Sequence, residues 1–499
     1  MGGRMAGRAQ RMAGRARRVV AAGPARRAVR AVVAGLAPGG WARRVRQVLV
    51  AALAGALAVP LLAASGPGTA PPLFSAGLIG NDQALQPVPP EEARGAGYVR
   101  DSSVLRLADG RYRYLPAGST DAVTVAAADP GAIAAVASDR AWLAAGEVPG
   151  ATAAEGQAAS RSLLDLRLLL RPGGAELAAQ TPYWTYVWPR DASFAAAAFA
   201  VTGHQAEATL ILGFLSGAQL PDGTWPSRSH PDGTPVADGR PAQLDATGWV
   251  SWAAWVASDG GRDAGVARGL WPTVRAAAEA ATRSLGRDGL PPAGPDYWER
   301  REREPTLGTA AVLRTGLRAA GDLAAALGHR DAASRYRSAA SRLSRAIARE
   351  FSGPGGFHRY PVGFGGPPQP GDGPDAAVAW LAPPFAPATR AVRAGVAQAA
   401  AQLGPGEGGA VPGMPWRKGD YWTPATATFA LAEMASGDRA SAQGRLRWLL
   451  DHRTSLGAFP ERVRRVDGSP RSVAPLGWTS AIVLLTLASE ARPLPIPGT

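Results

Sequence analysis

The chain contains no cysteine, which excludes disulfides, thiolate metal ligands and a cysteine nucleophile but leaves the compartment open. Histidine is scarce. The five residues His204, His230, His329, His358 and His452 are scattered without ligand-type spacing, so metal chemistry has little support. No Gly-rich phosphate loop and no serine-centred nucleophile motif is present, and no cofactor is implied. Lysine is almost absent. The Arg-heavy, Ala/Gly/Pro-rich composition reads as a coding bias rather than a function. Acids are missing from the start of the chain, where the first is Asp82.

The net charge of +15 over 499 residues is therefore uneven. Residues 1–46 hold twelve arginines, and without them 42 basic residues face 39 acidic ones. A basic arm of this kind, read as disordered, can signal nucleic acid. Here it directly precedes the charge-free run Val48 to Ala64, so membrane topology is the better reading and no nucleic-acid partner is expected. Seventeen residues at about 1.5 Å each span about 26 Å as a helix, marginal against a hydrocarbon core of about 30 Å. Arginines before the run and none after it predict N-in, C-out. Two readings stay open for residues 47–64: an uncleaved signal anchor or a signal peptide. Either places the remainder outside the cytoplasm.

Residues 65–95 read as a linker. Residues 96–154 read as a small extension packing on the main domain, with one hairpin turning at Asp109-Gly110. From about 155 to 492 the pattern is helical, punctuated by Gly and Pro: roughly 156–171, 191–202, 205–219, 245–258, 263–285, 306–327, 331–350, 374–382, 387–403, 422–435, 438–452 and 478–491. Twelve helices joined by alternating short and long connections predict an all-α fold, an (α/α)6 barrel with the even-numbered helices inside. Ala195-Ala-Ala-Ala-Phe-Ala200 and Ile482-Val-Leu-Leu-Thr-Leu487 suit inner positions; the charged fifth helix suits an outer one.

The unusual residues fall before the even helices. Tyr183-Trp-Thr-Tyr-Val-Trp-Pro-Arg-Asp191 precedes the second. Asp222-Gly-Thr-Trp-Pro226 and Gln243-Leu-Asp245 precede the fourth, and Asp296-Tyr-Trp-Glu299 the sixth. Trp416-Arg-Lys-Gly-Asp-Tyr-Trp422 precedes the tenth; Phe459-Pro-Glu-Arg462, followed by Trp478, precedes the twelfth. If those helices are inner, these loops meet at one end of the barrel and form a pocket of aromatics, arginines and carboxylates. Aromatic faces cover the apolar faces of pyranose rings, while Arg and Asp bind hydroxyls, so the expected partner is a carbohydrate. Single aromatics such as Trp252 and Trp448 read as core filling. Glu299, beside Trp298, and Glu461, after Pro460, stand out as a carboxyl pair; glycosidic hydrolysis needs one acid and one base or nucleophile.

These motifs resemble glycoside hydrolase family 15, the glucoamylase-like enzymes, over about residues 155–490. Ser162-Leu-Leu-Asp-Leu-Arg is similar to the first-helix pattern. Tyr186-Val-Trp-Pro-Arg-Asp191 resembles the loop whose Arg-Asp pair grips the terminal sugar. Asp296-Tyr-Trp-Glu299 resembles the general-acid loop. Pro460-Glu-Arg-Val463, with Ala474-Pro-Leu-Gly-Trp478, resembles the general-base block. The resemblance implies inverting exo-hydrolysis of α-glucosidic bonds without a cofactor. Glu299 would be the acid and Glu461 the base. Tyr186, Trp188, Arg190, Asp191, Trp225, Asp245, Trp298, Arg417, Trp422 and Trp478 would line the sugar site. The chain departs from the family pattern at Arg300, where many members carry an acid, and at Arg462, in place of a glutamine. An arginine beside the acid favours its carboxylate form, against the needs of a proton donor, unless it points away or pairs with Glu302. The alternatives are a trehalase or other α-glycosidase of the same fold, or a catalytically impaired, membrane-attached glycan-binding protein.

Overall fold

Several barrel helices begin at residues suited to start one. In the computed structural model, which describes residues 75–353, 355–362, 372–404, 406 and 408–499, α2 (Ala153–Leu169) opens with a capping box. Glu155 N–H donates to Thr152 Oγ1 at 3.3 Å and the Glu155 carboxylate accepts from Thr152 N–H at 2.8 Å. Pro189 and Pro424 occupy the first turns of α3 (Pro189–Val201) and α10 (Thr423–Ala435), where the missing N–H has no intrahelical partner to lose. The Arg-rich arm and Val48–Ala64 lie outside the described residues. Among the described residues no helix is long and apolar enough to cross a membrane.

The remaining α-helices of the barrel are α4 (Gln205–Gly217), α5 (Asp245–Ala257), α6 (Ala264–Ser284), α7 (Leu307–Ala326), α8 (Arg330–Glu350), α9 (Arg390–Leu403), α11 (Arg439–Asp451) and α12 (Gly477–Ala491). The eighth expected helix is instead a short 3-10 helix, Ala376–Leu381. Pro383 and Pro384 follow it and offer no N–H to extend an α-helix. Packing closes a ring in the order α3, α5, α7, Ala376–Leu381, α10, α12 and back to α3. An outer layer of α4, α6, α8, α9, α11 and α2 lies against these in turn. Connections from inner to outer helices are short, such as 202–204 and 327–329. Those from outer to inner are long, such as 218–244 and 452–476. All inner helices therefore start at the end that carries the long connections.

Small residues let the inner ring close. A Cβ built on Gly316 of α7 would fall 2.4 Å from Gly248 Cα of α5, so these helices touch backbone to backbone. Gly316→Ala should separate them and destabilise the fold by about 1–3 kcal/mol. Gly269→Ala, on exposed α6 with nothing within 4 Å of the new Cβ, should raise stability by about 0.4–1 kcal/mol. Thermal denaturation of the two variants checks the contrast. Along the axis Phe194, Trp249, Trp252, Trp380 and Phe385 interlock, with Phe194 and Trp249 centroids 4.8 Å apart and Trp249 and Trp380 5.1 Å apart. This plug blocks the channel, so the rim above it is a dead end.

The all-α expectation needs correcting inside and outside the barrel. Within the barrel connections, Arg462–Val463 pairs antiparallel with both Tyr421–Trp422 and Pro470–Arg471, and Ser352–Gly353 pairs with Gly356–Phe357. Two more sheets precede the barrel. The stretch expected as linker is folded from residue 75. Strands β1 (Gly77–Gly80) and β2 (Leu85–Val88) pair antiparallel, with Leu78 and Ile79 buried. Four residues with two apolar side chains are too short to read as a strand; burial against α2 specifies them. Residues 96–154 form a four-stranded sheet in sequential order: β3 (Gly97–Tyr98), β4 (Leu105–Arg106), β5 (Tyr112–Tyr114) and β6 (Val123–Val125). The unexpected helix α1 (Pro130–Ala144) follows, capped by Asp129, which accepts from Ala132 N–H at 2.9 Å. The β4–β5 hairpin turns through Asp109-Gly110. Arg161 of α2 lies 4.2 Å over the Tyr98 ring and donates to Ser102 O at 3.2 Å, which joins the extension to the barrel.

Candidate active site

The long connections converge. Trp188, at the N-cap of α3, donates its indole N–H to Glu299 Oε1 at 2.6 Å, joining residues 111 apart in sequence. Arg190 in the first turn of α3 donates to Gln243 Oε1 at 3.1 Å and to Asp245 Oδ2 at 3.4 Å, and its other nitrogen lies 3.6 Å from Glu299 Oε1. Its guanidinium stacks 4.9 Å from the Trp478 centroid. Trp184 donates to Glu461 across the rim, and the charge on Glu299 is near enough to act on Glu461. Trp298 meets Trp416 edge-on at 4.2 Å, and Trp416 meets Trp422 at 6.2 Å. Tyr297 hydrogen-bonds Asp375, so the fourth connection takes part as well.

Glu299 sits at φ 56°, a left-handed conformation that non-glycine residues rarely hold. Its backbone N–H donates to Asp296 O at 2.8 Å, closing the tight turn that aims the side chain inward. Its second oxygen accepts from Arg240, whose guanidinium is 3.1 Å from Asp238; Asp238 also pairs with Arg228. Arg228 in turn lies over Tyr186 at 4.8 Å and Trp188 at 5.2 Å.

Three carboxylates here are shifted upward, chiefly by burial. Asp191 is pushed up to about 7, the pull of Arg190 only partly offsetting the loss of water. Asp245 is pushed up to about 6 for the same reason. Burial also raises Glu461, against hydrogen bonds from Ser472 and Trp184 and the charge of Arg462 3.6 Å away. A base acts ionised, so activity should fall as pH drops through the Glu461 pKa. Removing the Ser472 hydroxyl takes away a stabiliser of the anion and raises that pKa. Ser472→Gly should therefore move the acid limb of kcat/KM to higher pH while costing less than about tenfold at the optimum. Glycine suits the native φ of 67° at this position. A pH–rate profile with an unmoved acid limb would contradict the link.

Several buried polar atoms at the rim have no hydrogen-bond partner in the protein, among them Arg190 Nε, Asp191 Oδ2, Trp478 Nε1, Trp298 Nε1 and Arg462 Nε. The first two are 3.4 Å apart but not aligned to bond. Buried polar groups are normally satisfied, so this set matches a ligand rich in hydroxyls.

Of the residues singled out in the sequence, Glu299, Glu461, Tyr186, Trp188, Arg190, Asp191, Asp245, Trp298, Trp422 and Trp478 share this rim. Trp225 does not. It is fully buried and donates to Leu215 O at 2.7 Å, because the Asp222-Gly223 turn carries its side chain into the core. Arg417 is exposed. Its neighbour Asp420 instead contacts Arg462 at 4.0 Å and Arg471 at 3.2 Å. Arg300 does point away from Glu299, lying 5.9 Å from the Trp416 centroid. Glu302 pairs with Arg359 and not with Arg300. Sequence reasoning missed Trp184, Arg240, Ser472 and Arg359. Trp184 alone had a signal, standing in the same aromatic run as Tyr186 and Trp188. Among the described residues no group of His, Cys, Asp and Glu could hold a metal ion.

No family profile and no curated protein matches the chain. Solved structures do. A wild-type glycosidase is 22% identical with a TM-score of 0.56, covering 66% of this chain and 95% of its own. A bacterial glucoamylase complexed with acarbose is 18% identical, TM-score 0.56, over 72% of this chain and 59% of that one. The glucoamylase of Saccharomycopsis fibuligera is 14% identical, TM-score 0.52, over 64% and 89%. At these identities the likeness establishes a glucoamylase-like helical toroid.

Proposed function

We propose that the protein is a glycoside hydrolase that releases glucose from the non-reducing end of an α-linked oligo- or polysaccharide with inversion. The observation that carries this reading is the carboxyl pair Glu299 and Glu461, near enough for the charge of one to act on the other, with Glu299 beside Arg190, which bears one of the unsatisfied buried atoms. Arg190 and Asp191 bind hydroxyls of the terminal sugar. Glu299 gives its proton to the glycosidic oxygen as the bond to C1 breaks. Glu461 takes a proton from the water that attacks C1 from the opposite face, which requires a carboxyl separation of about 6.5–9.5 Å. The aromatic plug beneath the rim supports exo action, since a chain cannot thread through. Fold likeness to glycosidases and glucoamylases is consistent with this chemistry.

The test is proton NMR of maltotriose digestion. Glucose appearing first as the β-anomer, with maltose as co-product, is expected. The α-anomer, or attack at internal bonds of a longer maltodextrin, would refute inversion or exo action. A second reading has one observation in its favour. Arg240 occupies an oxygen of Glu299, as it would in a glycan-binding protein without turnover. Glycan affinity in the absence of any released sugar would establish that reading. An extracytoplasmic location is proposed from the arginine-rich arm and the apolar run Val48–Ala64, and labelling of intact cells by an impermeant reagent checks it.

A further inference from the structure

The residue following each of the two carboxylates is an arginine, and the fold places both on one aromatic wall. Arg300 lies over Trp416 and Arg462 lies 5.5 Å from the Trp422 centroid, while Trp416 packs between Trp298 and Trp422. This wall carries the residues that follow Glu299 and Glu461 in the chain, while Arg190 and Trp478 stack on each other elsewhere at the rim. Arg300 is exposed and makes no ion pair among the described residues. Arg462 is 28% exposed; its Nε lies 3.6 Å from Glu461, and it shares the more distant Asp420 with Arg471. Arg240 is 42% exposed and shares Asp238 with Arg228.

The five guanidiniums of Arg228, Arg240, Arg300, Arg462 and Arg471 are matched by only four carboxylates, Asp238, Glu299, Asp420 and Glu461. The imbalance grows in the state that reacts. When Glu299 carries the proton it must donate, Arg240 loses the charge of its nearest partner. Guanidiniums pair with carboxylate and phosphate in a fork geometry and bind neutral hydroxyls less strongly. Stacking on Trp416 leaves the Arg300 N–H edge free to face a ligand, and Arg462 keeps Glu461 and Asp420 at 3.6 and 4.0 Å, too far to hydrogen-bond, so its N–H groups also remain open.

We infer that the leaving group of the natural substrate is anionic: the enzyme removes glucose from a residue bearing a carboxylate or phosphate, held by Arg300 and Arg462. This inference rests on the hydrolase reading above and names its substrate class. The reaction is the same hydrolysis. Water oxygen bonds to C1, the C1–O bond breaks, the Glu299 proton goes to the departing oxygen, and Glu461 receives the proton from water. The charged group takes no part beyond binding.

A matched pair of probes tests it. Maltobionate and maltitol share the terminal α-glucose and differ in an open-chain leaving group that is a carboxylate in one and an alcohol in the other. Maltose serves as the reference. The expected kcat/KM for maltobionate exceeds that for maltitol by about tenfold or more at low ionic strength, the scale of one hydrogen bond to a charged group. High salt should shrink the ratio. Arg300→Gln and Arg462→Gln should each bring it towards one, and because both substrates are measured in the same variant, general damage to the site cancels. A ratio of one or below, with maltose hydrolysed normally, overturns the inference and leaves the hydrolase reading standing. No glucose from any of the three overturns both.

Discussion

Glu461→Gln lowers kcat on maltotriose by about a hundred- to ten-thousand-fold, the range by which a positioned base accelerates proton transfer. Glu299→Gln does the same on maltotriose, yet the two variants part on another substrate. With α-glucosyl fluoride the leaving group departs without a proton, so loss of the acid costs far less than loss of the base. Stopped hydrolysis assays on the two substrates distinguish the roles. Equal losses on both substrates would remove the assignment of Glu299 as acid. Unchanged activity in either variant would remove the pair altogether. Glutamine retains the shape of each side chain but accepts at only one end, so Glu299→Gln keeps the Trp188 or the Arg240 bond and not both, and a thermal melt of each variant accompanies the assays. The Trp188 and Ser472 bonds, at Oε1 and Oε2, keep an oxygen acceptor if the amide is oriented to suit.

Arg359→Met destabilises the folded protein by about 3–5 kcal/mol, because it strips the cation from three carboxylates. Arg359 is completely buried. It donates to Asp296 at 2.9 Å, to Glu302 at 2.7 Å and to Asp375 at 2.6 Å, and its guanidinium lies 3.4 Å over Trp298. Tyr360 donates to the other Glu302 oxygen at 2.7 Å. Burial already pushes Asp375 above the usual carboxylate range despite Arg359 beside it. Without that arginine Asp375 takes up a proton more readily, so the deficit relative to the parent shrinks as pH falls. Urea unfolding at neutral and acidic pH measures both effects. A loss under about 1 kcal/mol at neutral pH would mean that the cluster is not an essential brace. The same substitution loosens the turn that presents Glu299, since Asp296 Oδ1 also accepts from Trp298 N–H at 3.0 Å. Activity should thus fall even at temperatures where the variant is folded.

Much of this arrangement is legible along the chain. Apolar spacing at the helical period, together with Thr, Asp and Pro at helix starts, places eleven of the twelve expected barrel segments on α-helices. The twelfth is shortened to a 3-10 helix ahead of Pro383-Pro384. The alternation of short and long connections shows which ends bear chemistry. Trp225 shows the limit of that reasoning. Its loop has the same composition as its neighbours, but the direction of one side chain depends on a turn geometry that composition does not carry. The β1–β2 hairpin was illegible because its burial comes from α2 rather than from its own pattern.

The sequence by itself determined the helical ring, its inner and outer faces, and the loops that carry tryptophan and acid. These follow from local periodicity and from residue types with strong conformational preferences. Only the tertiary structure decided which arginine meets which acid. Arg240 takes Glu299, Arg359 takes Glu302, and Arg300 turns to Trp416. The first two partnerships span 59 and 57 residues. Charges attract without regard to order along the chain, so their pairing is set when the ring closes and not before.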